Sequence, residues 1–149
     1  MKIVLFQPQI PQNTGNIARS CAATNTGLIL VQPLGFSLSS RHMKRAGLDY
    51  WDRVKLEVVD SIEVVLNQGP CFFFSSKAKR CYSKAQYPEN CLLVFGSETE
   101  GLPDSLWQKV PDQFYKIPMV EEQRCLNLAS SAAIALYEAL RQNNFTWKI

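Results

Sequence analysis

Histidine is almost missing from this chain, with His42 the single one in 149 residues. A histidine-based nucleophile system or a Cys/His zinc site therefore has little to work with. The five cysteines, Cys21, Cys71, Cys81, Cys91 and Cys125, are odd in number and show no CxxC spacing. Beside mostly apolar neighbours they read as reduced thiols in a cytosol, and neither a metal site nor cysteine catalysis is expected. No apolar run approaches the roughly 18 residues that a membrane span requires. The opening Met1-Lys2-Ile3-Val4-Leu5-Phe6-Gln7 is too soon broken by Pro8 to be a signal peptide, and it reads as a first strand. No G-x-G-x-x-G follows that strand, which argues against a nicotinamide-binding domain.

What is present describes a soluble globular protein: 46% of residues are hydrophobic and 19% charged, with a net charge of +3. Residues 1–149 fit one domain that can bury a core without staples. Runs suited to strands recur at Ile3–Phe6, Leu28–Val31, Val54–Val58, Cys71–Phe74, Leu92–Phe95 and Phe114–Ile117. Helices are expected near Thr14–Ala23, Arg41–Ala46, Ser61–Leu66, Ser105–Lys109 and Leu126–Gln142. That alternation predicts an α/β fold with a mostly parallel sheet and helices on both faces. The last helix carries apolar residues on more than one face, so either it is sandwiched inside the domain or its second face meets another subunit.

Three loops carry the polar residues of interest. The run Leu92-Leu93-Val94-Phe95 empties into Gly96-Ser97-Glu98-Thr99-Glu100-Gly101-Leu102-Pro103. A strand that ends in a glycine-bracketed polar loop is a ligand-site layout, because open α/β sheets bind ligands beyond the carboxyl ends of their strands. The loop has two carboxylates and no lysine, which argues against a phosphate cradle. The first strand leads into Gln7 to Arg19, where Asn13 suits a helix N-cap and Arg19 follows about a turn and a half later. The third segment, Lys116 to Ser131, joins the final strand to the final helix. A turn, a cap and a solvated arginine would account for each segment singly.

Jointly, the three segments resemble the SpoU/TrmH branch of the SPOUT methyltransferases. Asn13-Thr14-Gly15-Asn16-Ile17-Ala18-Arg19 is like its first motif, Phe95 to Pro103 its second, and Ile117-Pro118-Met119 with Arg124-Cys125-Leu126-Asn127-Leu128 its third. Pro33-Leu34-Gly35-Phe36, Arg45 to Tyr50 and Tyr137-Glu138-Ala139 extend the likeness over almost the whole chain. The pattern is similar to that of the small bacterial tRNA 2′-O-methyltransferases that act on the wobble nucleotide of leucine tRNAs. One departure is Cys125, where that family usually has serine.

The resemblance implies S-adenosylmethionine as cofactor, held between the second and third loops and the end of the Cys71–Phe74 strand. By position Phe74, Gly96, Ile117 and Cys125 or Leu126 would line it, joined by Gly101, Met119 and Ser130. It also implies a deep C-terminal trefoil knot and a homodimer whose active sites take residues from both subunits. Arg19 is the expected catalytic group: a guanidinium stays protonated, so its role would be to orient and acidify the ribose hydroxyl rather than to act as a base. Asn13 and Asn127 would fix geometry, with Glu98 bracing the first loop or Arg19. Phosphate contacts are expected from Lys77, Lys79 and Arg80 with Lys84, and from Arg41, Lys44 and Arg45. Trp107, like Tyr50 and Trp51, would either stack on an exposed base or pack in the core. Another tRNA or ribosomal RNA site, or RNA binding without catalysis, would use the same scaffold.

Overall fold

The structure, a computed structural model, describes residues 1–39, 53–120 and 125–145. Seven strands form one sheet in the order β3-β2-β1-β6-β4-β7-β5: β1 (Lys2–Phe6), β2 (Gly27–Val31), β3 (Leu56–Val59), β4 (Cys71–Phe74), β5 (Arg80–Cys81), β6 (Leu92–Phe95) and β7 (Phe114–Lys116). Every pairing is parallel. All carboxyl ends therefore open at one edge of the sheet. The expected strand over Val54–Val58 is displaced to Leu56–Val59, and β5 had no counterpart among the expected strands.

Among the described residues the α-helices are α1 (Pro11–Thr24), α2 (Ile62–Leu66), α3 (Asp104–Lys109) and α4 (Leu128–Gln142). Ile3 and Leu5 pack with Ile17, Ala18 and Cys21 of α1 and with Ala132, Ala135, Leu136 and Ala139 of α4. Val4, Ile29 and Val94 point to the opposite face, where Ile62, Val65 and Leu106 of α2 and α3 cover them. Because both faces are covered, the central strands are continuous apolar runs rather than alternating ones. Among the described residues no helix is long and apolar enough to cross a membrane.

Pro11 sets the start of α1. Its fixed φ and missing N–H suit the first helical position, so the N-cap is Ile10 and Asn13 lies inside the first turn, not at the cap the sequence suggested. At α4 the reverse holds. Asn127 is the N-cap, its side chain accepting from the backbone N–H groups of Ala129 and Ser130, so Leu126 is loop rather than helix. The expected helix Arg41–Ala46 lies outside the described residues.

Candidate functional site

Four loops leave the carboxyl edge of the central strands, after β1, β4, β6 and β7, and they enclose a cavity of about 720 Å³. Phe74 and Phe95, neighbours across β4 and β6, stack at 4.7 Å between ring centroids and both line it. Ser75, Ser76 and Lys77 extend the wall from β4, Gly96 to Leu102 from β6, and Ile117 and Met119 from β7. Cys125, Leu126, Asn127, Leu128 and Ser131 add the approach to α4, while Ile10 and Asn13 add the start of α1.

The β6 loop closes on itself. Ser97 and Gly101 form an antiparallel bridge, each N–H donating to the other's carbonyl at 3.2 and 3.0 Å. A Cβ on Gly96 would lie 2.1 Å from the carbonyl carbon of Gly101, so only glycine allows that closure. Gly101 has φ of +74°, a conformation L residues rarely adopt, and open space where its side chain would be. The closed loop carries Glu98 across to the first loop. Its carboxylate accepts from the backbone N–H of Gln9 at 2.8 Å, the N–H of Ile10 at 3.2 Å and the Asn13 side-chain amide at 3.0 Å. A carboxylate at the start of α1 also meets the favourable end of the helix dipole.

Asn127 then donates from Nδ2 to Oδ1 of Asn13 at 2.9 Å. The polarity of this chain is forced from one end. A carboxylate only accepts, so Asn13 must turn its NH₂ to Glu98 and its oxygen to Asn127. Asn127 must in turn donate, which leaves its oxygen for the N–H groups of Ala129 and Ser130 at 2.8 and 3.4 Å. Three loops far apart in sequence are thereby joined by one directional hydrogen-bond chain. Thr14, beside Asn13, has a fully buried hydroxyl with no hydrogen-bond partner among the described residues.

Of the residues expected to hold a cofactor, Phe74, Gly96, Gly101, Ile117, Met119, Cys125 and Leu126 line the cavity. Ser130 does not; it is exposed, and Ser131 takes the lining position. Of the expected catalytic set, Asn13, Glu98 and Asn127 come together at the cavity wall. Arg19 is exposed on α1 and is not among the lining residues, so the sequence-based placement of Arg19 in the same cleft is not met within one chain.

Lys77 stands at the cavity, whereas Lys79 is exposed outside it. Arg80 is engaged by Asp112, donating to its carbonyl at 2.6 Å and to its carboxylate at 2.7 Å. Trp107 stacks on Phe114 at 3.6 Å, the packing the sequence left open for it, and it also lines the cavity. Arg41 and Arg45, with Lys44, Tyr50 and Trp51, lie outside the described residues. Ser75 and Ser76 were missed as lining residues; two hydroxyls directly after a buried strand were the available signal.

Three thiols are held neutral by burial, Cys21 pushed up to about 12 and Cys71 and Cys91 to about 11. Cys81 goes the other way, lowered by its hydrogen bonds to Ser83 and by Lys84 and Lys116. Cys125 is exposed at the cavity, its Sγ 3.4 Å from Oγ of Ser76.

This arrangement has close counterparts. A Listeria monocytogenes (serotype 4b, strain F2365) relative, provisionally named a tRNA (cytidine(34)-2′-O)-methyltransferase, is 50% identical over 149 residues, 96% of this chain and 88% of its own. The tRNA (cytidine(34)-2′-O)-methyltransferase of Methylovorus glucosotrophus is 45% identical over 147 residues, 96% of each chain. A solved structure reported for 2-OH methylation of C/U34 on tRNA matches with a TM-score of 0.89 at 43% identity, covering 96% of this chain and 95% of that one. The model of the SpoU rRNA Methylase family matches residues 1–137, which span all three loops of the hydrogen-bond chain, and the protein belongs to that family.

Proposed function

We propose that the protein methylates the ribose 2′-hydroxyl of the wobble nucleotide of tRNA, using S-adenosylmethionine. The observation that carries this reading is the joining of Glu98, Asn13 and Asn127 on the wall of a cavity floored by aromatic rings. The cavity suits the cofactor: Phe74 and Phe95 offer an apolar floor for a purine, and the β6 loop offers backbone groups without a lysine to call for phosphate. When bound, S-adenosylmethionine supplies the methyl group. The chain's own task is alignment, because a hydroxyl and a methyl donor held in line gain several kcal/mol, on the order of 7 to 11 in favourable systems. Glu98 is better read as a brace than as a clamp on the sulfonium. Methyl transfer erases that positive charge, so a carboxylate upon it would stabilise the ground state more than the transition state.

The missing cation is Arg19. It belongs to this site when supplied by a second copy of the chain, in a homodimer whose active sites draw on both subunits. In support, α4 exposes Ile134 and Tyr137, at 37% and 49%, opposite its buried alanine face. There the guanidinium would orient and acidify the hydroxyl, and Lys77 would meet a neighbouring phosphate. The C-terminal part of the chain forms a trefoil knot in this reading. What supports it is β7 lying between β4 and β5, which the chain joins directly, while α4 returns past β4 to pack on β6 and α1. Leucine tRNAs, with cytidine or a modified uridine at the wobble position, are the substrates proposed, in the cytosol.

Incubation with labelled S-adenosylmethionine and total tRNA, followed by mapping of the labelled nucleotide, tests the reading. Label on the wobble ribose is expected. Label in a nucleobase, at another position, only in ribosomal RNA, or in no RNA at all refutes it.

A further inference from the structure

Ile10 is an apolar side chain 42% exposed on the wall of the cavity, and the backbone holds it there firmly. Its N–H donates to Glu98 at 3.2 Å, and its carbonyl accepts from the N–H groups of Asn13 and Thr14 at 3.1 and 3.3 Å. Pro11 follows it. Behind it, the Gln9 side chain donates back to the Gln7 carbonyl at 2.8 Å, and the Gly35 N–H donates to the Pro8 carbonyl at 2.9 Å. Isolated surface hydrophobics are ordinary. Here, however, a branched apolar group is presented by a tied backbone on the wall of a cavity that Asn13 and Leu126, itself 39% exposed, also line. Rigid presentation lowers the entropy lost on binding, which is how contact surfaces are built.

Resting on the reading that the wobble ribose is the target, we infer that Ile10 is the apolar seat against which the target pyrimidine base packs. Cytosine and uracil present opposite hydrogen-bond polarity at C4, an amino donor in one and a carbonyl acceptor in the other. A site that reads that edge by a single hydrogen bond accepts one and rejects the other. An aliphatic contact with the ring face is indifferent to the exchange. Ile10 thus allows both pyrimidines. Its support from Glu98 gives that carboxylate a second purpose: the brace that joins the loops also sets the height of the seat.

The test uses the full-length chain and tRNA transcripts that differ only at the wobble nucleotide. For Ile10→Ala, the KM for the C and U transcripts is expected to rise roughly five- to tenfold, the size of a lost half-buried aliphatic contact. The rise is expected to be equal for C and U, so that their kcat/KM ratio stays as in wild type, with calorimetric affinity for S-adenosylmethionine unchanged. Ile10→Leu restores KM. An unchanged KM in Ile10→Ala, or a loss confined to one of the two pyrimidines, would overturn the inference. So would a parallel loss of cofactor affinity, which moves Ile10 to the cofactor, or a changed oligomeric state by light scattering, which moves it to a subunit interface. If wild-type protein methylates no tRNA, both this inference and the function it rests on fail. If wild type labels the wobble ribose and Ile10→Ala behaves identically, only the seat is lost.

Discussion

Asn13 and Asn127 are 114 positions apart and share one hydrogen bond of 2.9 Å, Nδ2 of Asn127 donating to Oδ1 of Asn13. Because each asparagine has a forced orientation, the pair transmits the position of Glu98 to the first turn of α4. Asn13→Ala removes the middle of the chain while leaving both helices. Methyl transfer is expected to fall on the order of 100-fold, the usual consequence of an ångström of misplacement. Single-turnover kinetics beside calorimetric cofactor affinity measure it, and a variant with wild-type turnover would show that the link is ornamental.

Asn127→Ala removes a helix cap as well as the link. Loss of the cap costs about 1 kcal/mol, which lowers Tm by about 2 to 4 °C in a chain of this size. Asn127→Asp keeps the cap but offers no donor to Asn13, so it should recover Tm without recovering turnover. Differential scanning calorimetry and initial rates on both variants separate the two roles.

Glu98→Gln keeps the shape and reverses the logic. Oε2 of Glu98 accepts from the Gln9 N–H and Oε1 from both the Ile10 N–H and the Asn13 amide, so the single oxygen of the new amide cannot serve both sides. With its NH₂ towards Gln9 the hold on the first loop opens; with its NH₂ towards Asn13, Asn13 flips and turns its own donors against Asn127. A loss of turnover approaching that of Asn13→Ala is expected; additive losses in the double variant would sink the idea of a single connected unit.

Gly96→Ala and Gly101→Ala should differ in kind. A methyl group at Gly96 meets backbone at 2.1 Å, and neither partner can give way without opening the Ser97–Gly101 bridge. At Gly101 the space is open and the cost is the positive φ alone, about 1 to 2 kcal/mol. Cofactor binding should therefore be abolished in the first and survive, weakened, in the second, as a calorimetric titration would show.

Thiol labelling at neutral pH should divide the cysteines into two groups. Cys125 is exposed and Cys81 is half-buried with a lowered pKa, so both should react with an alkylating reagent in the folded protein. Cys21, raised to about 12, and Cys71 and Cys91, raised to about 11, should react only on unfolding. Bound S-adenosylmethionine should slow Cys125 and leave Cys81 unaffected; peptide mapping by mass spectrometry reads both.

The central strands were legible because burial on both faces writes them as uninterrupted apolar runs, and Cys71–Phe74 and Leu92–Phe95 match their expected bounds. β5 was not, since two residues, Arg80 and Cys81, have no pattern and owe their place to β7. The grouping of Asn13, Glu98 and Asn127 followed from the order of motifs, but the hydrogen bonds did not. Asn13 looked like a cap because caps are local, while its true partners lie 85 and 114 positions away. Arg19 and Ser130 were placed by motif position, which does not say which face of a helix meets the cavity; both are exposed, and Ser131 lines the cavity. Trp107 packs on Phe114 because α3 ends against the turn that leads into β7.

The insertion of β6 between β1 and β4 has a consequence for biosynthesis. β1 leaves the ribosome first, yet Lys2 to Leu5 must wait for Leu92 to Phe95 before their second flank is covered. Until then the nascent chain carries an open apolar strand edge, the kind of surface that invites wrong partners. Phe95, the second ring of the cavity floor, arrives with that same strand, and the last polar link arrives with Asn127. The cavity wall, which includes Asn127 and Ser131, is therefore complete only once the C-terminal segment docks.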